Sequence, residues 1–233
     1  MMSRVLTTVG LLSLAACTHT AEPPPPAGTD YYPLTVGAER IYAVQDTVIT
    51  NNRTVSALSS QVREQLTETY RDAAGAPTYK LVRSSRATAA DVWHVDSVQT
   101  LTRQAQALLL TRSNRRTVEL VFPVRSGAEW DKHAFSQLGA VGSFALPNSR
   151  YEAVDEARRV GGSSYEHTIT TYSFDGVEGD VNHQRELRQV YAQGVGPVLR
   201  VARQLDYCEP NHGCPVGVGY VTSGRIHRET LLP

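Results

Sequence analysis

Apolar residues in this chain recur at every second position in short runs, and turn residues break those runs at close intervals. Val118, Leu120, Phe122 and Val124 alternate along 117–124, and 165–174 alternates again before Asp175-Gly176. A period of two sends successive side chains to opposite faces of a strand, so one face can be buried while the other stays wet. The same signal marks 39–50, 78–86, 91–103, 107–112, 186–192, 198–207 and 220–231, with Asn51-Asn52 and Ser113-Asn114 placed as hairpin turns. In 91–103, Trp93, Val95 and Leu101 share one parity, opposite His94, Asp96 and Thr100.

Two segments read less simply. Leu58, Val62, Leu66 and Tyr70 recur every four residues, which fits a helix stripe and also one face of a strand. Thr67, Thr69 and Tyr70 favour the strand. Residues 150–160 are the best helical candidate: Glu152, Asp155 and Glu156 stand at pairing distance from Arg158 and Arg159, and Gly161-Gly162 would end the helix. The expected fold class is mainly β: an antiparallel sandwich, barrel or half-barrel with at most one or two short helices.

The N-terminus reads as a lipoprotein leader. Arg4 precedes a stretch of about ten apolar residues, too short to span a bilayer. Leu14-Ala15-Ala16-Cys17 closes it, with two small residues before a cysteine that can carry thioether-linked lipid. Several acyl chains on one residue suffice for stable anchoring. The expected organisation is a signal peptide over 1–16, a lipidated Cys17 and Pro-rich linker over 17–30, and a single β-rich domain over 31–233. Pro23 to Pro26 favour an extended spacer. Thr18 follows Cys17, so the aspartate that can retain lipoproteins in an inner membrane is missing and the outer membrane is the expected address.

Charge excludes one class of partner. Lys+Arg and Asp+Glu both number 23, and loss of Arg4 with the leader leaves a net charge of −1, no footprint for nucleic acid. With Cys17 acylated, Cys208 and Cys214 remain, seven residues inclusive with Pro210, Asn211 and Gly213 between them. Outside the cytoplasm a disulfide is expected. A metal held by Cys208, Glu209, His212 and Cys214 from one tight loop would have poor tetrahedral geometry, so neither metal nor cofactor is expected.

Enzyme signatures are weak. No His-x-x-x-His, Gly-x-Ser-x-Gly, Ser-x-x-Lys or phosphate-binding loop occurs. Gly194-Val195-Gly196 lacks a third glycine and reads as a turn between strands. Asp131-Lys132-His133 after Trp130 offers an acid, a base and an aromatic platform. Asp175, Glu178 and Asp180 form a carboxylate-rich loop without the calcium-hand spacing. No residue is assigned as catalytic.

Tyr31-Tyr32-Pro33-Leu34-Thr35-Val36-Gly37, placed behind the leader and linker, resembles the opening of uncharacterised lipoproteins of Bacteroidetes-type bacteria, which carry Tyr-Pro-Leu-x-x-Gly. Leu120-Val121-Phe122-Pro123-Val124 with Gly127 and Trp130, and Tyr191-Ala192-Gln193-Gly194-Val195-Gly196, fit as well. Ile41-Tyr42 stands where such proteins carry Trp-x-Tyr. The resemblance implies a secreted, β-rich, membrane-anchored domain and carries over no catalytic residue. Tyr31, Tyr32 and Leu34 are expected to plug one end of a sheet and Trp130 to cap the other side, or else all four to line a ligand cleft. Three functions are open: a non-enzymatic binding or structural protein of the envelope; a carrier or sensor of an apolar or lipid-like ligand in a half-barrel; and a hydrolase of envelope polymer using Asp131, His133 or the carboxylates of 175–180.

Overall fold

A computed structural model describes residues 28–135, 148–209, 213 and 219–233. Its described residues form twelve strands and one short 3-10 turn, Thr29–Tyr31. The strands are β1 (Glu39–Thr50), β2 (Arg53–Arg71), β3 (Pro77–Arg86), β4 (His94–Arg103), β5 (Ala107–Arg112) and β6 (Arg115–Val121). They continue as β7 (Glu129–Trp130), β8 (Ser149–Val160), β9 (Ser163–Phe174), β10 (His183–Ala192), β11 (Gly196–Tyr207) and β12 (Val221–Leu231).

All twelve join one antiparallel sheet in the order β6-β5-β4-β3-β2-β1-β12-β11-β10-β9-β8-β7. Each half of the chain is a meander, and the first and last strands sew the halves together from Tyr42↔Leu231 to Thr50↔Ser223. The outer strands β6 and β7 are then neighbours in sequence, and the sheet curls until they meet. The Val118 N–H donates to the Lys132 carbonyl (2.9 Å), and the Trp130 indole N–H donates to the Val118 carbonyl (3.1 Å). The result is a nearly closed barrel, which leaves little exposed edge for pairing with other chains.

Local chemistry explains the hairpins. Asn51-Asn52, Ser113-Asn114 and Gly161-Gly162 all have positive φ, the geometry that a two-residue turn needs to match strand twist. The last pair corrects the helical reading of 150–160. That segment is β8, and Gly161-Gly162 is its hairpin to β9. The register of β8 slips at three places, near Ala153, Asp155 and Ala157, which erases the period-two pattern in the sequence. Its charges pair across strands and not along a helix: Arg188 on β10 grips both Glu152 carboxylate oxygens at 2.7 and 2.9 Å. The segment 53–71 is a strand, β2. In β4 a register shift opposite Arg83/Ser84 breaks the single parity of 91–103: Leu101 is buried while Val95 is exposed.

One end of the barrel is filled. The 3-10 turn and the residues after it sit there, with Tyr31 and Tyr32 packed among Leu66, Leu108, Phe122 and Trp130. Polar straps hold this plug. Arg103 donates to the Tyr32 carbonyl (2.7 Å), Arg40 donates to the Pro33 and Val195 carbonyls (3.1 and 2.8 Å), and the Gly194 N–H donates to the Asp30 carbonyl (2.9 Å). Gly28 has positive φ, and a Cβ there would stand 2.6 Å from Val124 Cγ2, so the chain enters the plug only as glycine.

Candidate functional site

The concave face carries charge where a β-barrel core ordinarily carries hydrocarbon. Register sets this up. Glu64 on β2 stands directly opposite Arg83 on β3, and Glu229 on β12 directly opposite Arg200 on β11. Strand β1 lies between the two pairs and contributes Tyr42. Arg200 reaches Glu64 (2.8 Å) and Glu229 (2.7 Å), and Arg83 contacts both acids as well. The Tyr42 hydroxyl shares its proton between Glu64 Oε2 (3.3 Å) and the Pro197 carbonyl (3.0 Å). His227 extends the network, with Nε2 3.1 Å from Glu229 and Nδ1 3.0 Å from Asp46.

The electrostatics keep this quartet ionised. Burial pushes both carboxyl groups up, but Arg200 and Arg83 outweigh it, assisted at Glu229 by the His227 hydrogen bond. Glu64 ends below the usual carboxylate range and Glu229 well below it. Arg200 is pushed down by burial and up, by a greater amount, by Glu64, Tyr42 and Glu229. A general acid at neutral pH needs a raised carboxyl pKa. Glu64 and Glu229 are tuned in the other direction, away from the general-acid role.

Beside the quartet lies a cavity of about 550 Å³. That volume is in the range of small-molecule sites. Leu81, Leu101, Leu110 and Leu187 give it an apolar wall, and the quartet gives it a polar one. Tyr32 and Tyr191 line it on the side of the plug, their ring centroids 6.0 Å apart. Tyr191 is 1 % exposed, and its hydroxyl has no hydrogen-bond partner among the described residues. An unpaired buried hydroxyl costs about 1–3 kcal/mol. Nearby Glu119 is buried but satisfied, accepting from Thr117 Oγ1 (2.9 Å) and Gln189 Nε2 (3.2 Å). Burial pushes Glu119 up, and Lys132 and these hydrogen bonds bring it below the usual range. At the far end the lining includes Arg112, Ser113 and Arg115 of the β5–β6 turn, then Lys132, His133 and Asp175.

The four aromatic-motif residues sit together. Tyr31, Tyr32 and Trp130 are buried in one cluster with Leu34 packed against it. The Trp130 ring lies 4.9 Å from that of Tyr151. Only Tyr32 of the four also lines the cavity. Asp131 accepts the His133 N–H (2.8 Å) in a local turn, and His133 Nε2 lies 2.9 Å from Asp175 Oδ1 at the rim. Glu178 pairs with Arg150 (2.7 Å) and Asp180 with His183 (3.1 Å). Among the described residues no group of three or more His, Cys, Asp or Glu is arranged to hold a metal. Cys17 lies outside the described residues. So does Cys214, and with it the pairing expected with Cys208.

Glu64, Arg83, Glu119, Arg200 and Glu229 were not singled out from the sequence, and Tyr191 only as part of the stretch 191–196. One signal was present. Glu64 lies between Val62 and Leu66 at the same parity, a charge in an apolar register. No protein-family model, curated protein or solved structure matches the chain.

Proposed function

We propose that this chain is a lipid-anchored protein of the cell envelope whose barrel-like domain binds a small molecule without transforming it. The observation that carries the binding role is the cavity of about 550 Å³ lined in part by Tyr191, whose buried hydroxyl has no hydrogen-bond partner among the described residues. The anchoring role rests on Leu14-Ala15-Ala16-Cys17 and on the resemblance of 31–37 to membrane-anchored lipoproteins, and Thr18 in place of a retaining aspartate supports an outer-membrane address. A bond between Cys208 and Cys214 belongs to the same exported setting. The mixed apolar and charged lining favours an amphipathic ligand over a purely hydrocarbon one.

Two measurements test this. Fractionation with mass spectrometry should find the wild type in membranes with Cys17 acylated, and Cys17→Ser released. An unmodified Cys17 in the wild type contradicts the anchor. An environment-sensitive apolar dye should bind the full-length Cys17→Ser chain, and the cavity-filling change Ala202→Trp should abolish binding. A dye that ignores Ala202→Trp contradicts the cavity as the binding site.

A further inference from the structure

The rim of the cavity holds a like-charged pair. Arg112 and Arg115 are directly opposed cross-strand partners at the end of the β5–β6 hairpin, and both line the cavity. Opposed like charges destabilise a sheet. Nothing among the described residues relieves them: neither guanidinium has an ion pair or hydrogen bond, unlike Arg185 with Asp206 or Arg203 with Glu186. Lys132 adds a third cation to the lining, acting on Glu119.

The inner end has the opposite character. The unpartnered Tyr191 O–H needs an acceptor, but Glu119 is the charge that presses most on this phenol, and it repels a second anion. A neutral acceptor such as a hydroxyl or carbonyl meets both conditions. Arg115 and Glu119 are four residues apart on β6, a span of about 13 Å. The leucine wall borders the same cavity.

Given the reading of this cavity as a binding site, we propose that its ligand is an amphipathic organic anion held in one orientation. Its acid group sits between Arg112 and Arg115, its apolar body lies along Leu81, Leu101, Leu110 and Leu187, and a neutral oxygen at its far end accepts the Tyr191 hydrogen bond. The ligand thereby neutralises a repulsive pair at the rim and satisfies an orphaned hydroxyl inside.

Two matched probes separate this proposal from the reading beneath it. Anilinonaphthalenesulfonate and N-phenylnaphthylamine share one ring system, with and without an anionic group. On the full-length Cys17→Ser chain at low salt, the sulfonate should bind about tenfold more tightly. Arg112→Gln with Arg115→Gln should remove that preference and leave the neutral probe unchanged, while Ala202→Trp should abolish both. For the inner contact, displacement by decanoate is compared with displacement by decanoate hydroxylated at its far end. The hydroxy acid should compete about threefold better on the wild type and no better on Tyr191→Phe. Equal binding of the two probes overturns the anion assignment and leaves the cavity reading standing. A sulfonate preference that survives the double arginine change overturns the assignment to these residues. Failure of both probes to bind overturns the cavity reading and the proposal with it.

Discussion

The two ends of the barrel solve burial in different ways. At the plugged end, rings and aliphatic side chains fill the space, and polar groups such as Asp30 and Arg40 tie the plug in place, as does the terminal nitrogen of Arg103. Toward the cavity, the same strands turn inward four charges that hold one another and a hydroxyl without a partner among the described residues, and at the exposed rim stand two arginines with no acid among those residues. This second region keeps a cavity of about 550 Å³ beside its charges.

The largest effect that separates the regions is expected at the ion quartet. Arg200→Met removes the guanidinium that bridges Glu64 and Glu229 and should cost about 3–5 kcal/mol, because buried carboxylates lose their main partner. Adding Glu229→Leu to Arg200→Met should recover part of that loss, since the pair then leaves together. Urea midpoints of the single and double variants measure this. A double variant less stable by the sum of both losses would mean that the charges act independently and not as one network.

A smaller effect should appear with pH. The hydrogen bond to Glu229, and then that to Asp46, raise the His227 pKa above its ordinary 6.5 against the pull of burial. A raised folded-state value means that the protonated ring stabilises the fold fully below 6.5, and that this contribution fades as pH rises through the folded value. Glu64 and Glu229 work in the reverse sense, contributing above their ordinary 4.5 and losing the contribution as pH falls through their depressed values. Stability should therefore decline in the wild type as pH rises above 6.5 through the raised folded value, and His227→Gln should flatten that limb in a series of urea melts. An unchanged limb would detach His227 from the quartet.

The smallest effect is the most particular to a binding site. Arg112→Gln should stabilise the ligand-free protein by about 0.2–1 kcal/mol by removing a cross-strand repulsion. A loss of stability would mean that Arg112 serves the fold.

How much of this could be read from the chain depends on whether the signal is local. Alternation is local, so most strands and the fold class were legible, down to the Ser113-Asn114 hairpin. In β8 the three register slips destroyed the alternation and left charges at helix-like spacing, and Gly161-Gly162 then passed for a helix stop. The quartet is not local: Arg83 and Glu229 are separated by 146 positions and meet only because β1 pairs with β12. Each of its members, taken alone, looks like one more solvated charge. The aromatic motif lies between these cases. Burial of Tyr31, Tyr32 and Trp130 follows from their character, but their meeting at one end requires the β6–β7 closure.

The contrast between a filled end and a cavity is tested most directly by one matched pair of truncations. Leu108 is fully buried in the plugged end, and Leu187 lines the cavity. Denaturant unfolding should show Leu108→Ala losing about 2–5 kcal/mol and Leu187→Ala less than about 1, because a new void costs most where none existed before. Equal losses at the two sites would contradict the account, since both ends would then be packed as core.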